Sequence, residues 1–336
     1  MANIPVYQTR EDKLAPEFLN MANSFVFDSL SDDYIHSLGL EDLHNVDFPF
    51  KPEDLIASKE KGLSVTTLAD NMIVMLGVNP HFIYAEGYKR LLAVLFNETL
   101  PEVVCNEGKK ALLKEQYHTA AVYFRAALVL EHDNKNAMFG YACTLRQWYL
   151  SLEGEDESEE LVASLKAEST EYMEYCVLAY PDFDAAYYYL GYAYLNSAQY
   201  AKASFVWKKY LEVTENKGSE EYKEISERVE DLTEPVKIEA GINALTCGKY
   251  EEALKILEPY TESKYNNWWP LHFYLGTAYM ELGHVPEAIE GFKRTAALNP
   301  SNVQAYEALA QLYEEAGETE LAEKYKKKCE ILQANL

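Results

Sequence analysis

Toward the carboxyl end of this 336-residue chain, apolar residues return at helical spacing. Leu275 and Tyr279 stand four apart, on one face of a helix, and the small Gly276 beside them lets a neighbouring helix approach. Ala288 and Phe292 repeat the spacing, small then large. Gly283 falls between the two faces, where a helix must end, and glycine accepts the left-handed backbone of that position. Pro300 cannot continue a helix and closes the pattern. The prediction is helix, tight turn, helix. It then recurs: Leu275, Gly276, Tyr279, Gly283 and Ala288 are each followed 34 residues later by Leu309, Ala310, Tyr313, Gly317 and Ala322.

The same frame fits Leu190, Gly191, Tyr194, Ala203 and Trp207, and again Gly108, Ala120, Phe124 and Ala127. From Ala142 to Gly191 is 49 positions and from Ala203 to Ala253 is 50, so two units carry extra residues. The first insertion coincides with an acidic stretch near 151–160, expected to be a solvated loop. The second reads as an amphipathic spacer helix, Ser219 to Leu232, with Tyr222, Ile225, Val229 and Leu232 on one side.

The period, the Leu-Gly-x-x-Tyr run and the Ala-x-x-x-Phe run resemble the tetratricopeptide repeat. In that frame about six repeats start near residues 101, 135, 184, 234, 269 and 303. Three positions depart from it: Ser169 replaces a small alanine, Thr295 a small residue, and Lys326 the aromatic. The resemblance implies an all-α, right-handed superhelical solenoid of helix-turn-helix repeats with an irregular N-terminal segment. A single hairpin cannot bury its apolar face, so stability comes from neighbour interfaces and the last unit needs a polar outer side. The run Glu323 to Lys328 suits such a cap. The expected organisation is an N-terminal region 1–100, repeats over 101–232, and repeats with a capping helix over 233–336.

The first hundred residues do not fit the frame. Leu63 to Leu76 and Phe82 to Phe96 read as helices broken at Asn79 and Pro80, an irregular pair that extends the stack. Residues 1–50 alternate apolar patches (Ile4 to Tyr7, Phe25 to Phe27, Phe48 to Phe50) with acidic turns, which predicts extended or short helical pieces lying against something.

Composition narrows the partners. Fifty-five acidic against 30 basic residues give a net charge of -25, which repels a phosphate backbone and an anionic membrane surface, so the expectation is no nucleic acid and no membrane. The start of the chain has no basic region followed by an apolar run, and no stretch approaches the ~18 apolar residues of a membrane helix; a cytoplasmic location is expected. Five scattered cysteines (Cys105, Cys143, Cys176, Cys247, Cys329) have neither zinc nor disulfide spacing and read as reduced, mostly buried residues.

Catalytic motifs are missing. No two glycines stand two apart, so there is no G-x-G-x-x-G loop, and there is no Walker-type loop, H-E-x-x-H or G-x-S-x-G. Asp32, Asp33, His36, Glu41, Asp42 and His44 crowd one span with metal-binding side chains, but in so acidic a chain they read as a solvated surface. Tyr194, Tyr279, Tyr313 and Trp207 occupy the bulky core positions of the frame. The expectation is a protein that is not an enzyme and takes no cofactor.

The function expected is that of a protein- or peptide-binding scaffold, since repeats of this kind present a concave surface built from first helices. The resemblance implies that the fifth and ninth positions of each first helix face it. In this sequence they are Phe139 and Cys143, Tyr188 and Tyr192, Ile238 and Ile242, Phe273 and Thr277. They are apolar or aromatic, and the lysine, asparagine and arginine of the family members that grip a carboxylate tail are missing. Either curvature buries them as core, or they line a groove for an apolar or aromatic segment. That segment belongs to a partner or, in a self-occupied regulator, to residues 1–50 of the same chain.

Overall fold

The computed structural model describes residues 12–54, 64–96, 98–152 and 159–334. The chain divides into two compact units, Met1–Ala193 with Val206–Lys217, and Tyr194–Phe205 with Gly218–Leu336. Seventeen α-helices are described, and the strands found among the described residues, β1 (Val26–Ser29) and β2 (Asp47–Phe50), lie in the irregular amino-terminal segment.

That segment also holds α1 (Ala15–Ala22) and α2 (Asp32–Ser37). The expected irregular pair follows as α3 (Val65–Val78) and α4 (Ala85–Leu95), broken near Asn79 as the sequence predicts. The repeats begin with α5 (Leu100–Leu112) and α6 (Tyr117–Leu130), then α7 (Lys135–Ser151) and α8 (Glu159–Ala179), then α9 (Asp184–Asn196) and α10 (Tyr200–Val213). The spacer is α11 (Glu220–Asp231), capped by the Ser219 hydroxyl accepting from the Tyr222 N–H at 3.1 Å. After it come α12 (Thr233–Thr246) and α13 (Tyr250–Leu257), α14 (Trp269–Glu281) and α15 (Val285–Leu298), α16 (Val303–Glu315) and α17 (Thr319–Gln333). First helices thus start within a residue of each position the period gives.

Local chemistry explains the boundaries. Asn134 and Asn302 cap α7 and α16, each accepting from a backbone N–H three residues on at 2.8 Å. At the end of α14, Gly283 sits at φ +75°; its N–H donates to Met280 O and the next, from His284, to Tyr279 O. That double bond is the left-handed helix stop that glycine favours. After α13, Pro259 lacks an N–H, and the chain leaves the α-helix for two short 3-10 turns, Glu258–Glu262 and Lys264–Asn267.

The departures from the frame are satisfied in place. Ser169 is buried and donates its hydroxyl to Ala142 O at 2.9 Å. Thr295 is buried and donates to Gly291 O at 3.0 Å. Lys326 points out and pairs with Glu314, while its neighbour Tyr325 stacks on Tyr313 at 5.6 Å. Glu153, Glu155, Asp156 and Glu157 lie outside the described residues; Glu159 and Glu160 belong to the first turn of α8, where acidic side chains favour the helix dipole. Of the cysteines, Cys105, Cys176 and Cys329 are buried, Cys143 is half-buried and Cys247 is exposed.

In the first unit the amino-terminal elements pack on α3 and α6: α1 against both, β2 against α3, and α3 along α6. One buried cation holds this layer. Arg125 on α6 is fully buried, donates from Nε to Gly77 O at 2.7 Å, pairs with Asp12, and lies 4.6 Å from the Phe18 ring.

Candidate functional site

Each unit presents its own set of first-helix residues. In the first unit, α7 places Phe139 and Cys143 half-buried on one side. Trp148, nine residues on from Phe139 and so about half a turn round the helix, is buried. It lies 6.2 Å from Phe18 of α1 and 4.2 Å from His118, which shows that the described amino-terminal segment meets α7 on the far side from Phe139.

The Phe139 side is a run of rings. Phe139 meets Phe183 edge-on at 4.9 Å and Tyr189 at 5.9 Å. Tyr188 lies 5.2 Å from Tyr192 and 5.6 Å from Tyr210, and Tyr192 is 5.0 Å from Trp207. Fully buried Trp207 anchors the run by donating its Nε1–H to Tyr188 O at 3.1 Å. Edge-to-face pairs of this kind hold rings in fixed orientations, and Arg146 sits 5.4 Å over Tyr189. Burial pushes the Cys143 thiol up to about 12, so it stays protonated and acts as a soft apolar contact, not a nucleophile.

In the second unit Phe273 is half-buried, 5.7 Å from Phe292 and 6.5 Å from Trp269. Thr277 is half-buried and donates its hydroxyl to Phe273 O at 2.9 Å. Ile242 is half-buried at the edge of the core. Ile238 follows the core alternative and not the groove. It is 4% exposed and packs with Leu254, Leu257, Leu271 and Leu275, because the fifth position of α12 is turned into the core shared with α13 and α14. A ligand cannot reach it.

The structure also displays residues that the frame did not pick out. A further step of 34 from Phe273 and Thr277 reaches Glu307 and Gln311, both exposed on α16. Glu307 accepts from Gln333 at 3.1 Å, and Gln311 donates to Glu315 at 2.9 Å. The corresponding positions therefore turn from apolar on α14 to polar and acidic on α16, and the period was the signal. In the first unit Phe183, Tyr189 and Arg146 fall outside the fifth and ninth positions; the aromatic run from Tyr187 to Tyr189 is their sequence trace.

The crowded acidic span is spread over several interactions. Asp42 pairs with Arg90, His36 with Glu41 at 2.9 Å, and His44 bonds Asn45. Among the described residues no group of three or more His, Cys, Asp or Glu is arranged to hold a metal ion. No described helix is long and apolar enough to cross a membrane.

A family model described as tetratricopeptide repeat matches residues 273–327, spanning α14 to α17. Tetratricopeptide repeat protein 37 of Xenopus laevis is 24% identical over 242 residues, which cover 65% of this chain and 15% of that protein; the chain thus spans a small part of its relative's length. Among solved structures, MamA 41-end from Desulfovibrio magneticus RS-1 is 18% identical with a TM-score of 0.34, covering 58% of this chain and 96% of that one. The P58(IPK) TPR domain is 21% identical with a TM-score of 0.34, covering 68% and 59%. The helix hairpins at the 34-residue period, the family model matched across two of them and the curated relative agree: residues 273–327 are tetratricopeptide repeats, and the hairpins before them keep the same helix-turn-helix pattern.

Proposed function

We propose that this chain is a non-enzymatic scaffold that holds an apolar or aromatic segment of another protein on the first-helix faces of its repeats. The observation that carries the reading is the half-buried state of Phe139, Cys143, Tyr188, Tyr192, Ile242, Phe273 and Thr277, which are neither sealed in the core nor charged. Rings held at fixed angles lose little entropy when a ligand packs on them, and aromatic anchors carry much of the affinity in such interfaces. Cytoplasmic partners fit the reduced cysteines.

The self-occupied alternative has less support. Residues 12–54 pack on α3, α4, α6 and the far side of α7, away from Phe139; residues 1–11 lie outside the described residues.

The test is capture of a partner from native lysate by the whole chain, compared with Tyr188→Ala, Phe273→Ala and the double variant. Each single change should weaken capture and the pair should abolish it while the far-ultraviolet dichroism is unchanged. Undiminished capture by a folded double variant contradicts the reading.

A further inference from the structure

The two edges of the small amino-terminal sheet differ. On β2 the outward carbonyls are both taken: Asn71 on α3 donates to Pro49 O at 3.2 Å and Tyr88 on α4 donates to Asp47 O at 2.6 Å. Pro49 brings no N–H to that edge. The N–H and C=O of a strand residue point the same way, and successive residues alternate. With Asp47 and Pro49 facing out, Phe48 and Phe50 carry the rungs, and their partners on β1 are Asp28 and Val26. Phe27 and Ser29 therefore turn their main chain to the opposite edge. The Ser29 N–H is held by Asp28 Oδ1 at 2.9 Å, but the Phe27 N–H and C=O and the Ser29 C=O have no partner among the described residues.

What surrounds this edge is also open. All four β1 residues are exposed. Val26 and Phe27 expose 42% and 41% of their surface, and Ile83 exposes 82% beside Phe82, whose ring lies 5.7 Å from that of Phe27. Asp28, Asp32 and Asp33 are exposed at the end of the strand. None of the three is in an ion pair among the described residues, whereas nearby Asp42 is held by Arg90.

We infer that β1 is a docking edge for an extended segment of a partner protein in which β-branched and basic side chains alternate. Main-chain hydrogen bonds to Phe27 and Ser29 supply the pairing, Phe27 and Ile83 take the apolar side chains on one face, and Asp28, with Asp32 and Asp33 at the strand's end, takes the cations on the other. A second copy of β1 fits worse, since it sets Asp28 near its own copy and joins two chains of net charge -25. Four residues a side also offer far less than the roughly 1,200 Å² of a stable pair. This edge is separate from the first-helix faces and does not depend on them.

The probe is a fluorescein-labelled peptide of about ten alternating lysines and valines, titrated onto the intact chain by anisotropy. Saturable binding is expected, weakened at least about tenfold by main-chain N-methylation of the peptide, by glutamate in place of its lysines, and by Phe27→Pro. Phe27→Pro removes an N–H from the open edge and leaves the rungs of Val26 and Asp28; Phe27→Leu keeps the N–H and should keep binding. Exchange of the Phe27 amide should slow when the unmodified peptide is present, a readout that stands if the proline variant does not fold. No saturable binding overturns the inference. So does equal binding of the N-methylated peptide, a loss caused by Tyr188→Ala and not by Phe27→Pro, or a dimer in sedimentation that Phe27→Pro dissolves.

Discussion

Two helix crossings show how differently the irregular and the periodic parts of the molecule are held. At Gly77, where α3 crosses α6, an added Cβ would sit 2.0 Å from Val122 O, a backbone atom. At Gly276, where α14 meets α15, it would sit 3.2 Å from the Phe292 ring, a side chain that can shift. The first contact sets backbone against backbone between helices far apart in sequence. The second belongs to a motif that recurs, so its neighbours share whatever strain a change introduces. Irregular packing depends on single, long-range contacts; periodic packing spreads its dependence.

That difference orders the expected effects. The largest falls on the buried cation of the irregular layer: Asp12→Ala removes a carboxylate that pairs with fully buried Arg125 and should cost about 3 kcal/mol or more in chemical denaturation. A loss within the range of a surface ion pair, about 0 to 1 kcal/mol, breaks the comparison. Gly77→Ala should follow at about 3 kcal/mol, because only a helix shift relieves its clash, and Gly276→Leu at about 2 kcal/mol. If the two glycine variants reverse order, the distinction between backbone and side-chain seals is wrong.

Smaller effects sharpen the picture within the repeats. The stop that Gly283 makes after α14 is made after α5 by Glu115 at φ 59° and after α9 by Ala198 at φ 54°. A residue with a Cβ is strained there, so Glu115→Gly and Ala198→Gly should each raise stability by about 1 kcal/mol, visible as a higher Tm. Smallest is a pH effect. Desolvation lowers the His118 pKa against the opposing pull of Glu17, so the unfolded chain binds the proton more readily. Stability should therefore fall slightly as pH drops below about 6.5, and His118→Gln should flatten that slope. A slope of opposite sign contradicts the assignment.

The repeats were legible because each position is seen several times. Leu275 and Leu309, Gly283 and Gly317 announce one another, and the helices start where the period says. The amino-terminal layer was not legible beyond its short, broken elements. Nothing near Asp12 in sequence points to Arg125, more than a hundred residues away, and nothing in an all-helical composition announces that Phe48 and Phe50 pair with β1. The site was partly legible. Of the eight frame positions proposed for the binding face seven are half-buried, but the frame cannot tell how far a helix is turned into its neighbours, and Ile238 is turned fully in. Nor does it weigh side chains off the frame, such as Tyr189 and Phe183, whose rings complete the aromatic run.

The central claim is that partners are held on first-helix faces and not on second-helix faces. Site-specific photo-crosslinking in cells tests it most directly, with the photoreactive residue placed at Tyr192 or Thr277 on first helices and at the exposed Leu178 or Phe205 on second helices. The account predicts crosslinked peptides rich in apolar and aromatic residues from each of positions 192 and 277, and none of these from 178 and 205. Equal crosslinking from both faces, or crosslinks only from the second helices, contradicts it.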